Sequence, residues 1–297
     1  AVKEFMTVEG FTGYDEDKRS GDIRHIVARE VEGKYVVTIV ATHNLPLEAL
    51  ADRLAKQFKK FTLLLNVNTT NGNVIFGKEW HICRGEGFFY GEDEGIKYKA
   101  GANTFLQVND GVKKLLYRSI VGTLREKNTV AIDLYSGGGL LTAMLSKACK
   151  QAYGIEVVKE AVDCADELKK INGLDNMFNV CGTVEGNIDE VLKKTEGCNR
   201  AIVCDPPRKG MERSVVKAIL SSGADKVVLV SCNPATLARD LGLLCGSLTE
   251  TDGQLIKNPA YCGDPLSGFY EIVSVTPYDM FPQTKHVETL VVLTKKA

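Results

Sequence analysis

The strongest constraint on the fold is a regular alternation of short apolar runs and amphipathic segments between residues 129 and 244. The apolar runs are rich in Val, Ile and Leu, which is typical of strands buried on both faces of a parallel sheet. We predict strands at 129–134, 152–155, 177–180, 201–204 and 227–230, and helices that start at Leu140, Lys159, Glu212 and Pro234 and near Ile188. This alternation predicts a doubly wound α/β domain.

The end of the chain departs from the alternation. The apolar runs 270–275 and 288–293 have no helical pattern between them, so we predict an antiparallel hairpin with residues 277–285 as its loop. A helix predicted at 111–124 precedes the first strand of the alternation. We therefore place the α/β domain at residues 98–297.

Residues 1–97 are predicted to form a separate, small α+β domain. Glu32-Gly33 and Asn71-Gly72 are turn signals between apolar runs, and the second is a strong type I′ signal. We predict strands at 23–29, 34–40, 62–68 and 74–76, and a helix at 46–58.

Several polar residues of this domain have a simple structural interpretation. We interpret Arg24, His25 and Arg29 as a solvated sheet face, although an RNA contact is the alternative. His81 and Cys83 have no further metal ligands near them in the sequence, so we interpret both as packing residues. We expect no metal site.

Composition excludes several classes of protein. No apolar run approaches the roughly 20 residues that span a bilayer, so we expect no membrane segment. Nine cysteines are scattered without a Cys-x-x-Cys pair, which favours a reduced, cytoplasmic setting. The formal net charge is −1, so any RNA contact must depend on local patches. We expect a monomer, and because the chain starts at Ala1 rather than Met we expect it to be trimmed.

The segment Asp133-Leu-Tyr-Ser-Gly-Gly-Gly139 ends a predicted strand and opens a helix. Glycines at this position allow a tight turn and a close approach of the backbone to a ligand. Glu156 ends the next strand, where a carboxylate can bind both hydroxyls of a ribose. The glycine spacing differs from the dinucleotide pattern, so S-adenosylmethionine is favoured over NAD, and a nicotinamide oxidoreductase is disfavoured. The structural alternative is tight packing of helix on strand.

Cys232 directly follows a predicted strand and precedes Asn233-Pro234. Ligand-binding and catalytic residues of open α/β sheets usually lie at the carboxyl ends of the strands, so Cys232 is a candidate nucleophile. The alternative is a buried core thiol, the commonest fate of a free cysteine. Two further polar motifs accompany it, Asp205-Pro-Pro-Arg-Lys-Gly210 and Phe281-Pro-Gln-Thr-Lys-His-Val-Glu288.

These two motifs and Ser231-Cys-Asn-Pro-Ala-Thr236 resemble the signatures of the RNA 5-methyluridine methyltransferases. Phe105-Leu-Gln-Val-Asn109 and Asp133-Leu-Tyr-Ser-Gly137 resemble that family's cofactor motifs. The resemblance implies a Rossmann-like, S-adenosylmethionine-dependent enzyme that methylates uridine C5 in structured RNA, either tRNA or 23S rRNA. It further implies that Cys232 is the nucleophile, that Glu288 is the base, and that the cofactor pocket contains Gln107, Tyr135, Glu156 and Asp205.

The chain also departs from the family pattern. Many members begin with an RNA-binding β-barrel and iron–sulfur cysteines, but Cys83 is the only cysteine before residue 149. Either the parent protein lacks these parts or they precede Ala1. Arg208 stands where methyltransferases of exocyclic amino groups carry an aromatic residue, which disfavours that activity. We interpret His286 as structural or RNA-facing. A non-catalytic RNA-binding or RNA-folding module on the same fold is the alternative function.

Overall fold

The computed structural model describes residues 1–72, 74–102, 109–125, 128–251, 253–265 and 268–296. The chain divides into two compact units. The first comprises Ala1–Glu92 and Lys97–Thr104, and the second comprises Asp93–Ile96 and Phe105–Ala297. None of the helices in the described ranges has both the length and the apolar character needed to cross a bilayer.

The first unit is a four-stranded sheet covered by helices on one face. Its elements are α1 (Val2–Glu9), β1 (Ile23–Val31), β2 (Lys34–Ala41), α2 (Glu48–Ala55), β3 (Phe61–Val67) and β4 (Glu79–Arg84), and the strands lie in the order β1-β2-β3-β4. The predicted β1–β2 hairpin is confirmed, and Glu32 and Gly33 both adopt the positive φ of its turn. Phe5 and Leu50 from the helices pack against Ile39 and Leu65 of the sheet.

The strand predicted at 74–76 is wrong. The side-chain amide of Asn68 donates to the carbonyls of Val74 and Ile75 at 2.7 and 2.9 Å, and the amide of Asn66 bonds both the N–H and the carbonyl of Gly77. Two buried side chains therefore satisfy the backbone that a partner strand would otherwise pair. On the side of β3 away from β2, the partner strand is β4, which the sequence analysis missed.

Two interpretations of polar residues in this unit are also corrected. The Arg24 side chain is 1% exposed, ion-pairs with Glu16 and donates to the Thr70 carbonyl at 2.6 Å, so it fixes a loop instead of facing solvent. Cys83 lies on β4 but is exposed, so it is not a packing residue. His81 beside it is partly exposed and lies 2.7 Å from a carboxylate oxygen of Glu79.

The second unit contains the alternating elements. They are α3 (Asp110–Thr123), β7 (Thr129–Leu134), α4 (Leu140–Ala148), β8 (Gln151–Glu156), α5 (Lys159–Asn172), β9 (Met177–Cys181), α6 (Val184–Lys194), β10 (Asn199–Cys204), α7 (Arg213–Ser221), β11 (Lys226–Ser231), α8 (Pro234–Leu244), β14 (Tyr270–Tyr278) and β15 (Glu288–Lys295). The sequence analysis did not predict two short two-stranded sheets. One pairs β5 (Phe88–Asp93) with β6 (Ile96–Gly101), at the boundary between the two units in the sequence. The other pairs β12 (Leu248–Thr251) with β13 (Gln254–Lys257).

The seven strands of the main sheet lie in the order β14-β15-β11-β10-β7-β8-β9. The five strands from β11 to β9 are parallel, whereas β15 is antiparallel to both of its neighbours. The predicted doubly wound sheet and its closing hairpin are therefore confirmed.

Both faces of this sheet are buried, which explains the continuous apolar runs. Along β7, Ile132 packs with the α6–α8 side, where Ile188 and Val215 lie. Its neighbour Ala131 packs with the α3–α4 side, where Leu116 lies. Successive residues of a strand point to opposite faces, so a strand with two covered faces is apolar at every position.

The order of the strands reverses between β7 and β10. From β7 the chain continues to β8 on one side, and β10 then lies on the other side. A crevice forms outside the carboxyl ends of two strands at such a switch point, and ligands of open α/β sheets bind there. A ligand site is therefore expected at the loops after β7 and β10.

Candidate active site

Five predicted site residues lie at one edge of the main sheet. The adjacent strands β8, β7, β10, β11 and β15 carry, in that order, Glu156, Tyr135, Asp205, Cys232 and Glu288. The first four residues are at or just after the carboxyl ends of parallel strands. Glu288 is the first residue of the antiparallel β15, so it reaches the same edge from the opposite chain direction. Neighbouring strands are about 4.8 Å apart, so the residues form a continuous row.

Cys232 and Glu288 flank the last pair of one strand ladder in this row. That pair joins Ser231 of β11 to Thr289 of the antiparallel β15. Cys232 directly follows Ser231 and Glu288 directly precedes Thr289, so both residues are at the same end of the ladder.

The backbone around Cys232 is fixed by its neighbours. The Ser231 hydroxyl accepts from the Asn233 N–H at 3.2 Å, and the Asn233 side chain accepts from the Ala235 N–H at 3.1 Å, which caps α8. Pro234 occupies the first turn of the helix, where a missing N–H costs nothing. Cys232 thus lies directly before the N-terminus of α8, on a backbone segment that its neighbours hold in place.

Glu288 occupies a site with opposing electrostatic influences. Its side chain is 6% exposed, and burial raises the pKa of the carboxyl group above its ordinary value. The positive charge of Arg208 acts in the opposite direction and lowers this pKa. A carboxylate with a raised pKa is a better proton acceptor than an ordinary one, which suits a general base.

Two aspartates lie between the two ends of the row. Burial raises the pKa of Asp205 to about 7, and the negative charges of Glu288 and Asp133 add to this effect. Burial likewise raises the pKa of Asp133 to about 7, although the Thr142 hydroxyl opposes the shift by donating to its Oδ2 at 2.6 Å. Perturbed acids gathered in a crevice are typical of a functional site.

The loop after β7 has an unusual backbone. Tyr135 adopts a φ of 64°, a left-handed conformation that is rare for a bulky residue and common at ligand-binding turns. Gly139 has a φ of 79°, and a Cβ there would lie 2.6 Å from the Cβ of Ala165. Only glycine fits this position, because α4 starts against α5. The conformation of this loop is therefore determined both by the close packing of α4 on α5 and by the left-handed backbone of its residues.

Glu156 ties two loops together at the other end of the row. Its Oε2 accepts from the Gly137 N–H at 2.9 Å, and its Oε1 accepts from the Val158 N–H at 2.8 Å. Each carboxylate oxygen has a second lone pair, so both can also accept from ribose hydroxyls. Sequence reasoning anticipated a carboxylate here but not its role in holding the glycine loop.

The residues around Glu156 offer the kinds of group that a nucleoside with an amino-acid arm requires. A Cβ built on Gly137 or Gly138 would meet nothing within 4 Å, so a ligand can approach the backbone of the loop. Val157, directly after Glu156, is 58% exposed and offers an apolar surface to a flat ring. These groups match the ribose, base and amino-acid parts of S-adenosylmethionine.

Two further residues were singled out from the sequence. Gln107 lies outside the described residues. The backbone N–H of His286 donates to the Thr284 hydroxyl at 3.1 Å, and its ring packs edge-on against Phe281. Sequence reasoning missed Tyr117, whose pKa is raised by burial and then by the charges of Asp205 and Asp133. Its only signal was its position on the amphipathic α3.

Solved structures share this fold. The tRNA (uracil-54, C5)-methyltransferase of Pyrococcus abyssi in complex with S-adenosyl-L-homocysteine is 24% identical and has a TM-score of 0.75, and the match covers 99% of this chain and 65% of that one. The tRNA m1G37 methyltransferase of M. jannaschii is 10% identical with a TM-score of 0.54, and the match covers 95% of this chain and 79% of that one. The fold is that of the Rossmann-like methyltransferases.

The sequence comparisons narrow this class. The tRNA (uracil-5-)-methyltransferase family model matches residues 32–251, a segment that contains Cys232 but ends before Glu288. An uncharacterized RNA methyltransferase of Halalkalibacterium halodurans is 36% identical over 99% of this chain and 61% of its own length, and one of Synechocystis is 32% identical over 98% and 59%. The chain belongs to the RNA (uracil-5-)-methyltransferase family, as its motifs predicted. It spans about three fifths of the length of these relatives.

Proposed function

We propose that this chain carries the catalytic centre of an S-adenosylmethionine-dependent methyltransferase that acts on uridine C5 in structured RNA. The observation that carries the proposal is the β11–β15 ladder, whose last pair, Ser231 with Thr289, is flanked by Cys232 and Glu288 at the end of a row of cofactor-type residues. Family membership supports the reaction class. The RNA is tRNA or 23S rRNA, as the family resemblance implied.

Cys232 is proposed as the nucleophile. Uracil C5 is a weak nucleophile by itself, and a thiolate that bonds to C6 pushes the C5–C6 electron pair towards C5 and the C4 carbonyl. C5 then has the electron density to form a new carbon–carbon bond. The capped start of α8 holds the backbone of Cys232 in place for this step.

Glu288 is proposed as the general base. After the new bond has formed, C5 still carries its proton, and the Glu288 carboxylate removes it. The electron pair of that C–H bond restores the C5–C6 double bond and expels the Cys232 sulfur as a thiolate. In this proposal Glu288 and Cys232, which flank the same ladder pair, act on two adjacent ring carbons.

The cofactor pocket is proposed at the other end of the row. Glu156 would hold the ribose hydroxyls, and the backbone at Gly137 and Gly138 would receive the amino-acid arm. Tyr135 and Asp205, with Gln107, complete the proposed pocket. When bound, S-adenosylmethionine supplies an electrophilic methyl group. One strand, β10, separates β7 from β11, which carries Cys232, and two strands separate β8 from β11.

The target base must leave its stack to meet Cys232. A ring in a helix or folded loop exposes neither C5 nor C6 to a pocket at a sheet edge, so the uridine is flipped or splayed out. Arg208 and Lys209 are exposed on the loop beside this edge, and they are suited to hold phosphates next to the flipped nucleotide.

Tritium release from RNA labelled at uridine C5 tests the proposal. We expect release that requires S-adenosylmethionine, from a tRNA or a 23S rRNA fragment, and complete loss of release in Cys232→Ala with S-adenosylhomocysteine binding unchanged. Cys262→Ala is the matched control, because Cys262 is exposed and outside the row.

Two results would overturn the proposal. One is near-normal release by Cys232→Ala. The other is no release from either RNA by a chain that binds S-adenosylhomocysteine and the RNA, which would favour the non-catalytic RNA-binding module.

A further inference from the structure

The two-stranded sheet of β5 and β6 has one face against the core of the first unit, to which most of its residues belong. On that face Phe89 packs against Val36 and Leu64. Gly91 is buried, and a Cβ built on it would lie 2.7 Å from the ring of Tyr98. Side chains alternate between the two faces of a strand, so positions 88 and 90 of β5 and positions 97 and 99 of β6 belong to the opposite, outward face.

The outward face carries two aromatic rings and an ammonium group, here called the Tyr90 surface (Phe88, Tyr90 and Lys99). The rings of Phe88 and Tyr90 have centroids 5.4 Å apart and meet edge to face at 80°. Lys99 Nζ lies 4.1 Å from the centroid of the Phe88 ring. Tyr90 is 46% exposed. A large part of an aromatic ring on this face is therefore accessible to a partner.

The Tyr90 ring is held in place before any partner binds. The Lys34 ammonium group donates to the Tyr90 carbonyl at 2.8 Å, which fixes the backbone of β5 at this residue. The edge-to-face contact with Phe88 restricts the ring itself, since aromatic pairs prefer this geometry. Tyrosine has only two side-chain torsions, so a ring held in this way loses little conformational entropy on binding. This preorganisation favours affinity.

The chemistry of the Tyr90 surface fits an unpaired nucleotide. Nucleobases stack on aromatic rings, and positively charged side chains beside the rings bind the nucleic-acid backbone. The described outward positions 88, 90, 92, 97, 99 and 101 include two lysines, Lys97 and Lys99, and one carboxylate, Glu92. The face is thus locally cationic in a chain whose formal net charge is −1. A local patch of this kind is what such a chain requires to bind RNA.

We propose that the Tyr90 surface binds an unpaired base of the RNA, with the base stacked on the Tyr90 ring and with Lys97 and Lys99 at the adjoining phosphates. This inference rests on the proposed function, in which the substrate is structured RNA. The Tyr90 surface belongs to the first unit, whereas Cys232 and Glu288 belong to the second. Stacking tolerates any base. The Tyr90 surface should therefore contribute affinity for RNA and leave the choice of the target uridine to the crevice.

Variants of the Tyr90 surface test the proposal with a fluorescently labelled, single-stranded RNA of about twelve nucleotides. In anisotropy titrations, Tyr90→Leu should weaken binding roughly tenfold because it removes the ring, and Tyr90→Phe should bind within about twofold of the parent chain because it keeps the ring. Lys99→Gln should reduce the slope of log affinity against log salt concentration by about 0.7, the value for one phosphate contact on a single strand. Tyr261→Leu, between β13 and β14, is the matched control and should bind as the parent chain does.

Turnover gives an independent reading. In tritium release from the tRNA or the 23S rRNA fragment, Tyr90→Leu should raise KM for the RNA roughly tenfold and leave kcat unchanged, because the lost contact is made equally before and during the reaction. Tyr90→Phe should keep both parental values.

Binding of the oligonucleotide by Tyr90→Leu at the parental affinity would overturn the inference. An equal loss in Tyr90→Phe would do the same, since it would assign the effect to the hydroxyl group, and so would a parent chain that does not bind the oligonucleotide. Photocrosslinking needs no variant: the parent chain with the same RNA carrying 5-iodouridine should be labelled within residues 88–90, and labelling confined to other segments would contradict the proposal. Neither measurement involves methyl transfer. A chain that binds RNA at Tyr90 without tritium release would therefore count against the proposed function alone.

Discussion

Single side chains at the sheet edge owe their chemistry to where they are buried. Glu288 and Asp205 are acids in a partly dry crevice, and burial raises the pKa of each. Arg208 is the positive group that opposes this effect at Glu288. The same carboxyl group on an open surface would titrate normally and would be a weaker base. The position of the residue in the crevice, more than its identity, makes it reactive.

Replacing Glu288 by Gln removes the base but leaves the nucleophile. We expect the covalent protein–RNA conjugate to accumulate in single-turnover reactions, because the C5 proton is no longer taken and the sulfur is not expelled. In the parent chain, release of the conjugate should slow as pH falls through the raised pKa of Glu288, since protonation disables a base. Denaturing gels of labelled RNA measure the conjugate.

Glu271→Gln is a suitable control for this experiment. Glu271 is exposed on the edge strand β14 and accepts only from Thr294 among the contacts described. A Glu288→Gln chain that turns over normally, with no conjugate above the Glu271→Gln level, would remove Glu288 from the mechanism.

Among the elements, the turn between β7 and α4 combines two requirements. Gly139 must be glycine because α5 and a left-handed backbone leave no room for a side chain. Gly138 has open space beside it and no left-handed φ, so the protein alone does not require glycine there. The fold requires glycine at position 139, whereas only the space proposed for the cofactor requires it at position 138.

The two glycines should therefore respond differently to substitution by alanine. Gly139→Ala should lower the free energy of unfolding by about 2 kcal/mol or more, because it adds both strain and a clash. Gly138→Ala should change stability by less than about 0.5 kcal/mol, yet weaken the binding of S-adenosylhomocysteine. Urea unfolding and calorimetric titration measure the two quantities. Equal effects of both variants on both quantities would contradict this division.

At the scale of the whole molecule, the acids of the crevice make stability depend on pH. Asp133 has a pKa of about 7 when folded and an ordinary value of 3.8. Between these values the folded chain holds a proton that the unfolded chain has lost. Stability therefore falls as pH rises through this window, which is the reverse of the behaviour of a salt-bridged aspartate.

Asp133→Asn should remove this dependence at one site. The free energy of unfolding of the variant minus that of the parent chain should therefore rise by about 2 kcal/mol from pH 5 to pH 8. Asp189→Asn, on the exposed side of α6, is the control and should show a constant difference. A pH-independent difference for Asp133→Asn would mean that Asp133 is ionised across the range.

The main sheet could be predicted because each of its signals is local. A strand covered on both faces must be apolar throughout, so the continuous apolar run at 129–134 was enough to locate β7. Segments with glycine or proline directly after these runs then indicated where each strand ends and polar residues begin. Segments that lack such signals were missed or misjudged. Residues 74–76 were predicted as a strand, but the side-chain amide of the nearby Asn68 donates to the carbonyls of Val74 and Ile75.

The sequence by itself determined the fold class, the family and the five residues at the sheet edge, because strand ends and motifs are written in consecutive residues. Only the tertiary structure decided that Cys232 and Glu288 flank the same ladder pair, since they are distant in sequence and are brought to one end of the sheet by the register of β11 with an antiparallel β15. It also decided the hydrogen bonds of the loop after β10 with α8 and the raised pKa values of the buried acids. Burial and hydrogen-bond partners depend on what packs from elsewhere in the chain, and no local pattern records them.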